Sequence, residues 1–334
     1  MEYRSFGKTD LKVSEIGFGC QSLGGGLYYK DDSESIMTLQ QAFGSGINFY
    51  DTSDHYSQGM SERLIGRAFK DRRDRVILSS KAGTLYYSIG NLALRMRPLL
   101  RPMSYLLHPM KISLHLMRAS QKGSDFSAEY LTKAVHGSLR RLQTDYLDLF
   151  QLHKPPSSIL EEGDFCETLE KLKDQGKIRY YGVSCATVDD ALICLKHPGI
   201  SSVQVGISLL DQEAITKLLP VAREKTLVVI ARNPRAQGHL TNTLSDIMAE
   251  TYARNQREFE DRKNRAKQFQ FLIKENRTLA QAALQFILQL HGVSVVIPRS
   301  VNREQLEENL GALTAPPLTK EELLKIESMS RDTA

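Results

Sequence analysis

A chain of 334 residues, 41% hydrophobic and 25% charged, has ordinary globular composition and buries enough surface to need no disulfide or metal staple. Its four cysteines (Cys20, Cys166, Cys185, Cys194) form no CxxC pair and lack the partners of a zinc site, so no metal is expected, and reduced thiols in a cytoplasmic protein are. The net charge of +5 is carried by six basic and no acidic residues between Leu85 and Ser124, which excludes a general nucleic-acid surface, and no apolar run reaches membrane-spanning length.

In chain order, Tyr3–Phe6 and Leu11–Val13 flank Gly7-Lys8-Thr9-Asp10 and predict a hairpin that plugs the floor of the fold. Short β-branched runs then alternate with amphipathic ones. Strands are predicted at Val13–Cys20, Ile47–Ser53, Arg75–Lys81, Tyr146–His153, Ile178–Ser184, Ser202–Ser208, Leu227–Arg232 and Val293–Arg299. Helices are predicted at Ser35–Gly44, Ser61–Lys70, Ser127–Leu142, Phe165–Gln175, Val188–Lys196, Ala214–Lys225, Leu279–Leu290 and Arg303–Leu310, where apolar residues recur at three and four. Continuous apolar strands such as Val76-Ile77-Leu78 are expected when both faces of a parallel sheet are buried.

Eight β-then-α units predict a (β/α)8 TIM barrel, α/β in class, with residues 1–334 as one domain. A doubly wound sheet is the rival, but its phosphate loop is incomplete. Gly17-Phe18-Gly19 continues as Cys20-Gln21-Ser22, without the third glycine of GxGxxG. Two connections are long: a basic, apolar insert at 85–124 after strand three, and 237–276 after strand seven. Both leave the C-terminal ends of strands, where long loops tend to be functional.

Barrel enzymes place reactive side chains at those ends. Here they carry Asp51 and Tyr56 after strand two, Lys81 ending strand three and His153 ending strand four. Together these make a proton-transfer device. A phenol titrates near ~10, and an ammonium about 4 Å away, at an effective dielectric of about 20, is worth ~4 kcal/mol toward the phenolate. Asp51 would neutralise and orient Lys81, making its burial tolerable. His153 would donate to a carbonyl oxygen as charge develops there, and Tyr56 would supply the proton as hydride reaches the carbon. Taken singly, each has an ordinary structural reading: a solvated lysine, a turn aspartate, a packed tyrosine, a satisfied strand-end histidine. Their joint placement on consecutive strands is what argues for chemistry.

The run from Gly46 through Asp51 to Tyr56, followed by Ser61-Glu62-Arg63-Leu64-Ile65-Gly66, resembles the first signature of the aldo-keto reductase superfamily. Ser138 to Leu149, running on to His153, resembles its second, and Ile297-Pro298-Arg299-Ser300 through Glu308-Asn309 its cofactor segment. The resemblance covers nearly the whole chain apart from parts of the two long loops. It implies a catalytic tetrad of Asp51, Tyr56, Lys81 and His153 and a nicotinamide cofactor held without a Rossmann fold. By the same resemblance Ser184 and Gln204 hold the carboxamide and Arg232 packs on the nicotinamide. Pro234 and Gly238 belong to the cofactor-binding segment after strand seven. Arg299 and Ser300 take the 2′-phosphate, which favours NADPH/NADP+ over NADH because a guanidinium fork suits phosphate. Gln305 and Asn309, one helical turn apart, face the adenine end. Three positions depart from the pattern: Cys185 stands where Asn is usual, Gln305 where Arg is common, and Arg235 where Leu is common.

The resemblance implies an oxidoreductase acting on a small-molecule carbonyl or alcohol. Leu and Met residues interleaved with the basic ones of the insert predict a helical lid, or one that admits a bulky, apolar or anionic substrate; membrane contact is a weaker alternative. A nicotinamide-binding regulatory or structural subunit on the same scaffold is the competing function. A metal-dependent barrel hydrolase is more distant, because no ligand cluster occupies the strand ends.

Overall fold

The computed structural model describes residues 1–24, 32–86, 121–241, 256–300 and 302–331. The interior of the basic insert, and with it the expected lid, lies outside them. Hairpin strands β1 (Tyr3–Ser5) and β2 (Lys12–Ser14) pair antiparallel. They are followed by β3 (Phe18–Gly19), β4 (Phe49–Asp51) and β5 (Ile77–Ala82). A second antiparallel pair, β6 (Thr84–Tyr86) with β7 (Gln121–Ser124), forms the base of the insert. The later strands are β8 (Leu147–His153), β9 (Ile178–Ser184), β10 (Ile200–Gly206), β11 (Val228–Arg232) and β12 (Val293–Ile297).

Eight of these strands pair side by side in the order β3-β4-β5-β8-β9-β10-β11-β12, all parallel. Parallel bridges from Ile16 to Val296 and from Gly19 to Arg299 close the ring. This is the predicted TIM barrel. The closure also explains Gly17-Phe18-Gly19. A Cβ on Gly17 would lie 2.9 Å from the Ile297 side chain, and one on Gly19 3.1 Å from the Pro298 carbonyl. These glycines let two backbones meet at the seam and form no phosphate loop.

Helices α1 (Asp32–Gly44), α2 (Met60–Phe69), α3 (Ala128–Leu142), α4 (Ser157–Glu162), α5 (Phe165–Asp174), α6 (Val188–Cys194), α7 (Glu213–Lys217), α8 (Leu219–Lys225), α9 (Gln256–Lys267), α10 (Leu279–Leu288), α11 (Arg303–Gly311) and α12 (Lys320–Arg331) accompany the strands. Both α6 and α10 start with capping boxes, Thr187 with Asp190 and Thr278 with Gln281, which satisfy the first free amides. The predicted first strand, Val13–Cys20, is instead divided between the plug hairpin and the two-residue β3. The single helix expected over Ala214–Lys225 breaks at Leu218, because Pro220 opens the first turn of a new helix, α8. Helices α4 and α12 were not anticipated, whereas α9 lies within the 237–276 connection, expected as a long loop or helix. No helix among the described residues is long and apolar enough to cross a membrane.

Side chains alternate between two cores, as the pleat requires. Tyr50, Leu78, Phe150 and Val296 point out toward the helices and join the large outer core. Phe49, Ile77, Leu149, Ile230, Val295 and Ile297 point in, where Phe6, Leu11 and Val13 of the hairpin and its turn plug the floor. One step further along the same inward rows the chemistry changes, to Asp51, Ser79, Lys81, Gln151, His153, Ser184 and Gln204, all buried.

Candidate active site

The polar layer is organised around one carboxylate. Lys81 is fully buried, and its Nζ donates to Asp51 Oδ2 at 2.6 Å and to the Thr52 carbonyl at 2.8 Å. The second oxygen, Asp51 Oδ1, accepts from Gln204 Nε2 at 2.9 Å, from Ser79 Oγ at 3.3 Å and from Gln151 Nε2 at 3.4 Å. A dry ion pair persists only when its remaining hydrogen-bonding capacity is met, and here partners come from three strands, β5, β8 and β10, and from the Thr52 carbonyl.

Tyr56 begins a short 3-10 turn, Tyr56–Gly59, in which Ser57 and Gln58 take left-handed backbone angles. The turn is pinned by Ser57 Oγ to the Leu23 carbonyl at 2.8 Å and by Thr52 Oγ1 to Ser61 Oγ at 2.8 Å. It leaves the half-buried Tyr56 ring with the Lys81 ammonium 5.3 Å from its centroid. The His153 ring is 6.1 Å from that of Tyr56, edge-on. The structure thus brings the four predicted tetrad residues into one mouth.

Ser53, which sequence reading missed, holds the histidine side. Its Oγ bonds the Lys81 carbonyl at 3.1 Å, His55 Nδ1 at 2.8 Å and His153 Nδ1 at 3.3 Å. The His55 ring lies against that of His153 with centroids 4.6 Å apart. Burial first, then the charges of His55, Lys81, Lys154 and Arg232, hold the His153 imidazole well below the ordinary histidine range, so it is neutral. A neutral ring with Nδ1 engaged by Ser53 has Nε2 left to address a ligand.

On the next strands round the barrel, β9 and β10, Ser184 Oγ donates to Gln204 Oε1 at 3.0 Å, so the two predicted carboxamide residues are joined to each other and, through Gln204, to Asp51. Arg232 Nη2 donates to the Cys185 carbonyl at 2.9 Å, while its buried Nε has no hydrogen-bond partner. Pro234 is buried in the turn after β11, and Gly238, at φ +110°, has open space where a Cβ would point. Next to the end of β12, Arg235 Nη2 donates to the Arg299 carbonyl at 2.6 Å and reaches Gln305 Oε1 at 3.5 Å. Burial, reinforced by Arg299, lowers the Arg235 guanidinium to about 10. Asn309 Nδ2 donates to Ser300 Oγ at 3.0 Å, and its buried Oδ1 has no partner. Arg235, the departure noted in sequence, therefore ties this arginine-rich corner together. A surface cavity of about 1080 Å³ between the start of α3 and helices α4 and α5 is lined by none of the predicted site residues.

Residues 15–331 match the aldo/keto reductase family. The chain belongs to that family. It is 31% identical over 336 residues to the uncharacterized oxidoreductase YqkF of Bacillus subtilis (strain 168), covering 99% of this chain and 97% of that one. It is 27% identical over 320 residues to the NADH-specific methylglyoxal reductase of Escherichia coli (strain K12), covering 92% of each. Among solved structures, the holo form of aldo-keto reductase AKR11C1 from Bacillus halodurans superposes with a TM-score of 0.77 at 31% identity over 98% of this chain and 96% of that one. An aldo/keto reductase from Klebsiella pneumoniae in complex with NADP and acetate gives 0.66 at 26% identity, covering 98% and 95%. These relatives make the protein an oxidoreductase on an aldo/keto reductase barrel.

Proposed function

We propose that this aldo/keto reductase reduces an aldehyde or ketone to the alcohol, or runs the reverse, with NADPH as hydride source and Tyr56 as proton donor. The observation that carries the reading is the buried Lys81–Asp51 pair at 2.6 Å with its ammonium beside the Tyr56 ring. A positive charge held there without water favours the phenolate left when Tyr56 gives up its proton. In the tautomer in which Nδ1 accepts from Ser53, neutral His153 offers its Nε2–H to the carbonyl oxygen as negative charge builds on it.

The residues present fit a nicotinamide dinucleotide. Arg235 and Arg299 meet beside Ser300, a match for a phosphate, and Asn309 keeps a buried acceptor unsatisfied on the same helix face as Gln305. Ser184 and Gln204 would hold the carboxamide, Arg232 would lie along the ring, and the Pro234–Gly238 turn would pass beside the phosphates. When bound, the dinucleotide supplies the hydride. Two arginines at the proposed 2′-phosphate corner favour NADPH; the Klebsiella pneumoniae structure contains NADP, whereas the Escherichia coli relative is named as NADH-specific.

Turnover of 4-nitrobenzaldehyde and 9,10-phenanthrenequinone, with NADPH and NADH side by side, tests the reading. Tyr56→Phe should lower kcat by about 10²- to 10⁴-fold, the span of a lost general acid. Tight NADPH binding with no Tyr56-dependent turnover across a broad carbonyl panel would replace the reductase by a regulatory subunit.

A further inference from the structure

We propose that the substrate carries an anionic group, a carboxylate or phosphate, beside its carbonyl, and that Lys154 pairs with it. The inference rests on the reductase reading above and names the substrate class for the same mouth. Lys154 follows His153 directly, and its amide donates to the Ser184 carbonyl at 2.8 Å, which fixes the residue at the rim between β8 and β9. Its φ of +53° is a left-handed angle that a residue with a side chain adopts at a cost, and such outliers concentrate at functional sites.

The surrounding charges leave this lysine unopposed. Lys81 on β5 and Arg232 on β11 are the cations whose fields reach it, and His153 on β8 is held neutral. Among the described residues, the carboxylates Asp51, Asp54 and Asp211 at the strand ends are engaged elsewhere. Asp51 on β4 serves Lys81 and Gln204, and Asp54 accepts from Tyr130 and sits 3.5 Å from His55. Asp211 is held by both nitrogens of the Arg262 fork. Lys154 itself makes no side-chain hydrogen bond or ion pair among the described residues. Lys154 is exposed at the rim, where partial loss of hydration and then the charges of Arg232 and Lys81 bring its ammonium down to about 8.

A cation beside the proton-donating corner raises the local concentration of anionic substrates and pairs with them on arrival. The cofactor's phosphates do not account for it. The Arg235–Arg299 corner belongs to β11 and β12, and β8 stands four strands from β12 around the ring.

Matched substrates test the proposal. We would compare 4-carboxybenzaldehyde with 4-nitrobenzaldehyde, and glyceraldehyde 3-phosphate with glyceraldehyde, on wild type, Lys154→Met and Lys154→Arg. In wild type kcat/KM favours the anionic member of at least one pair, and which pair shows it separates carboxylate from phosphate recognition. Lys154→Met lowers the anionic-to-neutral ratio by about ten- to a hundredfold, the worth of a charged hydrogen bond, chiefly through KM, and Lys154→Arg keeps the preference. Equal loss on both members of each pair, a wild-type preference for the neutral member of both pairs, or weaker NADPH binding in Lys154→Met would overturn the proposal.

The underlying reading is checked separately by Tyr56-dependent turnover of the neutral aldehydes. If nothing turns over, calorimetric binding of 4-carboxybenzyl alcohol against 4-nitrobenzyl alcohol, in the presence of NADP+, still decides. Tighter binding of the carboxylate, lost in Lys154→Met, supports Lys154 as the anion partner; no difference between the proteins sinks it.

Discussion

Removing either member of the Lys81–Asp51 pair strands the other in a dry interior, and the hydrogen bonds around them set which loss is worse. Truncating one partner of a buried pair costs about 3–5 kcal/mol. In Lys81→Met, Asp51 keeps three neutral donors, Gln204, Gln151 and Ser79. Each is worth about 1 kcal/mol, which places this variant at the lower end. In Asp51→Asn, the Lys81 ammonium keeps only the Thr52 carbonyl and an amide oxygen, which places it at the upper end. Asp51→Asn combined with Lys81→Met removes both charges with little change in volume, and should be no less stable than Asp51→Asn alone. Urea unfolding followed by circular dichroism, with equal m-values confirming the same denatured state, reads all four proteins. A double variant near the roughly 8 kcal/mol sum of independent losses would refute the coupling between Lys81 and Asp51. Carbonyl turnover should stay low in the double variant even where its stability is recovered.

His153 gives a pH signature. Its folded-state pKa is depressed while the unfolded chain titrates near ~6.5, so below about that pH the unfolded state binds the extra proton and stability falls. The wild-type urea midpoint should therefore fall more steeply than that of His153→Gln between about pH 6.5 and 4.5; parallel curves would refute the assignment. Arg277 is buried, donates to Glu322 and caps the Leu272, Pro316 and Pro317 carbonyls. Arg277→Met should cost about 3–5 kcal/mol and raise hydrogen exchange first across α12, since Glu322 lies on that helix. Arg299→Ala should reduce the NADPH-to-NADH ratio of kcat/KM by about ten- to a hundredfold; an unchanged ratio would move the 2′-phosphate elsewhere.

Much of the architecture was legible because a (β/α)8 chain repeats one instruction. Apolar runs such as Val76-Ile77-Leu78 and Val295-Val296-Ile297 read as strands, and the strand ends then point to Asp51, Lys81 and His153. Less legible was the two-residue alternation hidden inside those runs. Ser79, Gln151 and Gln204 are inward positions of β5, β8 and β10, and a reading that treated the strands as uniformly apolar passed over two of them. An aspartate at the end of β4 needing several donors was the signal available. Ser53 and His55 were missed for another reason: their importance lies in a turn whose shape depends on Ser57, Gln58 and Gly59 adopting left-handed angles. Helices α4 and α12 follow Pro155-Pro156 and Pro316-Pro317, where tertiary contacts such as Arg277 to Glu322 decide the outcome.

The inward rows also explain why one site combines two tasks. At the floor, Phe49, Ile77, Leu149 and Ile230 meet the hairpin's Phe6 and exclude water, so the next layer up must satisfy its own polar groups. Asp51 is the acceptor that layer is built on. One oxygen fixes Lys81 beneath Tyr56, and the other fixes Gln204, which holds Ser184 on the proposed cofactor side. A carboxylate bridging both halves makes their geometries interdependent. Asp51→Asn should consequently weaken nicotinamide binding as well as proton transfer, whereas Lys81→Met, which leaves the Gln204 contact in place, should spare NADPH affinity while abolishing turnover. Calorimetric NADPH affinities of the two variants separate these outcomes. Equal affinities would mean that the proton-handling and cofactor sides are independent, and that Gln204 is positioned by Ser184 alone.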